Sequence, residues 1–272
     1  VHARKKARCV AAALTMLSLC SIQACSQQKV QCSGEAQCGD GNGRNADAKK
    51  AAELEVATVT AEIKAGVSGE QGRVGETPEK ESGLRAVHIY LTAGNLGDRP
   101  ALISKATITF EKSGYLKPCY GIGGDLLSTA TYSFTIPDDQ PRGEGGLLHK
   151  TPFSMTKDLT HEIPPNKYEK FTLTVGPKTI PDGGSPWFGV TYVTLHRDTG
   201  EEVKVGPIAV VNSGGNPAFY PEFDKNAWHI EQETFSGCTK ENADLVASVM
   251  KIPKLTPSTE FASLHKALQE YR

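Results

Sequence analysis

From Leu84 to Thr92 the chain sets Val87, Ile89 and Leu91 at alternate positions, with His88 and Tyr90 between them. A period of two is the mark of a strand with one buried face. The same alternation runs from Ile103 to Phe110 and from Ala130 to Ile136, and an earlier strand is expected over Ala57–Ile63, where Val59 and Ala61 alternate with Thr58, Thr60 and Glu62. Further strands are expected over Gly146–Met155, Tyr168–Val175, Phe188–His196 and Val203–Val211. Turn-forming residues separate them: Gly94-Asn95-Leu96-Gly97-Asp98, Pro137-Asp138-Asp139, Pro164-Pro165-Asn166, Asp182-Gly183-Gly184 and Asp198-Thr199-Gly200. The polar stretch from Gly66 to Ser82 reads as a long loop. Seven or eight antiparallel strands with no helical pattern among them predict two packed sheets, here a single immunoglobulin-like β-sandwich over residues 53–213.

The pattern changes after Ser213. Four aromatics, Phe219, Tyr220, Phe223 and Trp228, fall within ten positions. Flat rings beside Glu222, Asp224 and Asn226 are a candidate ligand platform, since rings stack on apolar faces while polar neighbours fix orientation. Thr239 is expected to cap a helix running to Met250, with Leu245, Val246 and Val249 on one face. After Pro253 and Pro257 a second helix carries Phe261, Leu264, Leu268 and Tyr271 on one apolar stripe, a candidate partner-binding face. Residues 214–272 therefore form an aromatic segment and a C-terminal helical extension. The stretch from Val87 to Ala106 resembles the second and third strands of the small immunoglobulin-like domains of bacterial extracellular proteins, which mostly bind, space or scaffold.

The amino end carries a different signal. Arg4, Lys5, Lys6 and Arg8 precede an apolar run from Cys9 to Ala24, the layout of an export signal. Its sixteen residues reach about 24 Å as a helix, short of the ~30 Å hydrocarbon core. The quartet Ile22-Gln23-Ala24-Cys25 resembles the lipobox of bacterial lipoproteins. That resemblance implies a signal peptide over residues 1–24, diacylation of Cys25, and attachment to the extracytoplasmic side of a bacterial cell membrane. Residues 25–52, dominated by Gln, Gly, Asn, Ser, Asp and Lys, are expected to be a flexible tether, with too little apolar surface to offset ordering entropy.

With Cys9 and Cys20 in the signal and Cys25 acylated, Cys32, Cys38, Cys119 and Cys238 remain, an even number suited to an oxidising compartment. Of three connectivities the favoured one pairs Cys32 with Cys38 and Cys119 with Cys238. The spacings do not match a zinc site, and no metal or cofactor is expected.

Thirty Lys and Arg face 31 Asp and Glu, and removing the four signal cations leaves a mature charge of about −5. Nucleic-acid binding is disfavoured, and membrane attachment falls to the lipid, since a multiply acylated anchor holds stably. The sequence has no Gly-x-Ser-x-Gly and no paired-histidine zinc motif, and its histidines are scattered singly. The resulting expectation is a non-catalytic module binding a protein, peptide or envelope glycan. The alternatives are a hydrolase of cell-wall material with its cleft near residues 219–229, and a structural subunit of an envelope complex using the last helix.

Overall fold

The computed structural model describes residues 49–73, 77–120, 126–143, 146–181, 184–231 and 236–272. The expected signal peptide, Cys25, the expected Cys32–Cys38 pair and most of the expected tether lie outside them. The chain is mainly β, built as β1 (Leu54–Arg73), β2 (Glu79–Asn95), β3 (Ala101–Tyr115), β4 (Leu126–Ala130), β5 (Phe134–Ile136), β6 (Phe153–Ile163), β7 (Lys167–Pro177), β8 (Thr179–Pro181), β9 (Trp187–Arg197) and β10 (Glu202–Val211). There follow β11 (Phe219–Glu222), β12 (Ala227–Ile230), α1 (Cys238–Met250), β13 (Thr256–Pro257) and α2 (Thr259–Leu268).

One sheet has the order β5-β7-β2-β1-β4-β8 and the other β13-β10-β9-β3-β6, while β11 and β12 form a separate hairpin. Both large sheets are mixed: β5 runs parallel to β7 and β13 parallel to β10, the other pairings being antiparallel. Alternate residues of each sheet meet in one core. Ala61, Ile63, Val87, Ile89, Leu91, Leu173 and Val175 come from the first, and Ile103, Ile108, Phe110, Val193, Leu195, Ile208 and Val210 from the second.

The turn between β2 and β3 shows how the expected Asn-x-Gly signal works. Asn95 is fully buried, and its Oδ1 accepts from Glu53 N–H (3.2 Å) and Gly97 N–H (3.1 Å). Its Nδ2 donates to the carbonyls of Arg99 (2.7 Å) and Ile163 (3.1 Å). A buried amide with all of these bonds made fixes the turn instead of destabilising it. Any Cβ at Gly97 would collide with the backbone of Ala51 and Ala52, so only glycine fits there. At the expected end of the tether, Lys50 O and Glu53 O accept from Asp98 N–H (3.0 Å) and Leu96 N–H (2.8 Å), so residues 50–53 are fixed to the body.

Other boundaries move for physical reasons. The stretch 66–82 is not one long loop: β1 continues to Arg73 and pairs with β2 from Gln71↔Glu79 inward. Its polar letters hide Val67, which packs with Leu84, Ala86, Ala130 and Tyr132 in a small core of their own. The run 130–136 divides into the end of β4 and a separate β5, and 146–155 begins its strand only at Phe153, after Pro152. Residues 147–149 instead bond to the end of β3, through Leu147 O with Tyr115 N–H and His149 N–H with Ser113 O, each 2.8 Å. The first helix starts two residues earlier than expected, with Gly237 at the N-cap (φ +82°) and Thr239 buried inside the first turn.

A second core ties the C-terminal segment to the sheets. Phe188 and Val190 of β9 and Ala209 and Val211 of β10 pack with Leu116, Phe219, Trp228, Val246, Val249, Phe261, Leu264 and Leu268. The stripe on α2 is therefore used within its own chain: Phe261, Leu264 and Leu268 are buried, and Tyr271 packs partly buried against them, so these four residues do not form an open partner-binding face. The Cys119–Cys238 disulfide, as expected, joins the loop after β3 to the first residue of α1 across 119 residues of sequence.

We predict that replacing both cysteines, as Cys119→Ser with Cys238→Ser, lowers unfolding stability by about 4 to 5 kcal/mol, the loop-closure entropy of a bridge this long. Urea denaturation of the double variant against the oxidised protein measures it, with a reduced midpoint the expected outcome.

Candidate functional site

Two cavities lie where the C-terminal segment meets the sheets. The larger, about 720 Å³, is bounded by Tyr115, Lys117, Pro118, Leu147, Leu148, Ser236, Cys238, Glu241, Asn242 and Leu245. Its walls come from the end of β3, the 147–148 segment and α1. Asn242 holds two of them together: its Oδ1 accepts from Lys117 N–H (2.8 Å), and its Nδ2 donates to Lys117 O (3.1 Å) and meets Cys119 Sγ (3.2 Å). Lys117 and Glu241 form an ion pair at the rim. Leu148 is 40% exposed, an apolar side chain left open beside an apolar hollow. Volumes of ~300–1,000 Å³ with apolar walls and a few polar groups are typical of ligand sites.

The smaller cavity, about 240 Å³, is formed by β1, β2, the β11–β12 hairpin and the start of α2; Glu62, Lys64, Arg85, Glu222, Phe223 and Glu260 line it. Glu62 pairs with Lys64 (2.6 Å), Glu222 with Lys225 (2.8 Å), and the Arg85 guanidinium lies 3.9 Å from the centre of the Phe223 ring. Among the described residues no cluster of three acid, cysteine or histidine side chains is arranged to hold a metal ion.

The aromatic cluster does not act as one platform. Antiparallel pairing in the β11–β12 hairpin sends neighbours to opposite faces. Phe219 and Trp228 point inward and are buried, with the Trp228 indole donating to Glu260 O (2.9 Å), so neither can stack on a ligand. Tyr220, 37% exposed, stacks on His229 at 4.9 Å, and Phe223 carries Arg85 on its face. The acid/base candidates separate as well. Glu222 lines the small cavity, whereas Asp224 and His229 do not, and His229 Nε2 lies 3.5 Å from Glu231.

One arrangement has no sequence signal, because its members are 36 and 74 residues apart. The Trp187 indole N–H donates to Ser113 Oγ (2.9 Å), and Ser113 Oγ is 2.7 Å from His149 Nδ1. An indole only donates, so the Ser113 hydroxyl accepts from Trp187 while sharing a second hydrogen bond with His149 Nδ1. A serine–histidine contact suggests a nucleophile, but here Ser113 is 2% and His149 4% exposed. Tyr115 and Phe153 meet the imidazole edge-on, and the group works as a buried polar tie between β3, β9 and the 147–149 segment. Burial pushes the His149 pKa down to about 4, and the Arg142 charge adds to the effect.

No protein-family model and no curated protein matches the chain. A solved structure, the X-ray structure of Northeast Structural Genomics Consortium target SoR45, is similar at 11% identity over 56% of this chain and 84% of that one, with a TM-score of 0.23. A likeness of that size carries no argument. Among the described residues no helix is long and apolar enough to cross a membrane.

The depressed histidine gives a pH prediction. The unfolded chain takes up a proton near pH 6.5, whereas the folded His149 stays neutral down to about 4. Stability is thus greatest above 6.5 and falls as pH drops toward 4. We expect native protein to lose about 2 kcal/mol more than His149→Gln between pH 7 and 4.5, by urea denaturation at each pH.

Proposed function

We propose that the chain is a bacterial lipoprotein, held on the extracytoplasmic side of the membrane through acylated Cys25, and that its β body is a non-catalytic binding module of immunoglobulin-like type. Three observations support the parts of this reading. The lipobox-like Ile22–Cys25 follows a basic and then an apolar stretch. The Cys119–Cys238 bridge suits an oxidising compartment. The neighbour orders β7-β2-β1 and β6-β3-β9-β10 support such a type, with β4 and β8 added beyond β1 and β5 and β13 as short parallel additions.

The observation that carries the binding role is the 720 Å³ cavity, whose apolar walls Tyr115, Pro118, Leu147, Leu148 and Leu245 are ringed by Lys117, Glu241 and Asn242. Apolar walls favour a peptide or protein segment inserting an apolar side chain over a glycan, whose hydroxyls need many polar partners. The hydrolase alternative draws its acid/base groups from Glu222, Asp224 and His229. The separation of Asp224 and His229 from the cavity that Glu222 lines weighs against that alternative.

An apolar fluorescent anion, 1-anilinonaphthalene-8-sulfonate, tests the cavity. The native protein is expected to bind it saturably, and Leu148→Glu to weaken binding about tenfold, roughly the loss of one leucine contact. Equal binding by the variant, with its fold intact, rejects this cavity as the site.

A further inference from the structure

The small cavity holds one charged group whose bonding is incomplete. Glu260 is 7% exposed, its side chain forms part of the wall, and its Oε2 is buried with no hydrogen-bond partner. The other charges around it are already matched: Glu62 by Lys64, Glu222 by Lys225, and Arg85 by the face of Phe223. No ion pair among the described residues reaches Glu260. Burial holds its carboxyl above the usual range, against the pull of the Ile63 and Glu260 backbone N–H groups, and the charge of Glu62 raises it further. A buried carboxylate with an oxygen unsatisfied costs several kcal/mol unless a donor arrives or a proton binds.

We propose that this cavity is a binding site for a small organic monocation, an alkylammonium group of the kind carried by a short amine or the end of a lysine-like side chain, received by Glu260. The chemistry of the walls sets the class. Glu62, Glu222 and Glu260 do not converge in a way that holds a metal ion. Ile63, Pro221, Phe223 and Ala227 give a carbon chain apolar surface, while Asn226, Thr259 and Ser263 supply polar groups near a charged head. A volume of 240 Å³ is about eight waters' worth, below the size of drug-sized sites and suited to one side chain or a short amine. This site is separate from the apolar cavity and does not depend on the role assigned to it.

The test titrates the full oxidised protein with n-butylammonium chloride, using n-butanol and sodium butyrate as the neutral and anionic analogues. The Ile63 amide and Trp228 indole signals, both bonded to Glu260, report the site in two-dimensional NMR. Saturable shifts are expected with the ammonium alone, together with a downward move of the Glu260 carboxyl titration, a readout that needs no variant. Glu260→Gln, nearly the same shape without the charge, is expected to bind about tenfold more weakly or worse. Absent saturation, equal binding of n-butanol, an unmoved carboxyl titration, or unchanged affinity in a folded Glu260→Gln each overturns the proposal.

Discussion

The first half of β9 and the second half of β10, buried on both faces, join the parts of this molecule. In β9 and β10 one set of alternating residues, Val193, Leu195, Ile208 and Val210, faces the opposite sheet. The other set, Phe188, Val190, Ala209 and Val211, faces the helices and the β11–β12 hairpin. An outer sheet face normally meets water; here a second apolar layer takes its place, each fully buried Leu or Phe contributing about 1.5 to 3 kcal/mol. Removing the C-terminal segment would expose that whole face, so the segment belongs to the folding unit. The bridge from Cys119 to the start of α1 and the Asn242 clamp hold one side of this layer. On the other, β13 pairs with β10, and Ser258, bonded to Ala209 O at 2.7 Å, starts α2.

Both cavities follow from this docking. Neither lies between the two large sheets. The larger opens where α1 meets the end of β3, and the smaller where the first turn of α2 meets the edge of β1. Loops and added segments on a rigid sheet body are where binding groups are commonly placed. The buried Trp187–Ser113–His149 tie stiffens the strand end that supplies Tyr115 to the larger cavity.

Much of the sheet architecture was legible in the letters because one buried face forces a period of two. Val87-Ile89-Leu91 and Ile103 to Phe110 show it plainly, and both reappear in the shared core. The Cys119–Cys238 pairing was the favoured one of three connectivities once the two signal cysteines and Cys25 were set aside, and the bridge is present. The polar hairpin extension was not, since backbone hydrogen bonds pair strands whatever their side chains, and only Val67 and Leu84 gave a trace of it. Composition located the aromatic cluster but not its directions: adjacent Phe219 and Tyr220 go opposite ways, one into the core and one to solvent. The cavities were invisible because their walls come from distant segments, as with Glu62 and Glu260. Glu260 itself reads as an acid complementing the dipole of α2 in its first turn, and nothing in the sequence marks its burial.

The functional reading rests on where the chain works. A body with a long-range disulfide, a basic-then-apolar amino end and an acylatable Cys25 form a consistent set for a protein displayed outside the cytoplasm. Mass spectrometry of the protein taken from membranes of its own cells, digested without reduction, tests this most directly. The account predicts an amino-terminal peptide beginning at Cys25 with two or three acyl chains, alongside a linked Cys119–Cys238 peptide. An unacylated Cys25 inside an uncleaved peptide, with free thiols at Cys119 and Cys238, would contradict it.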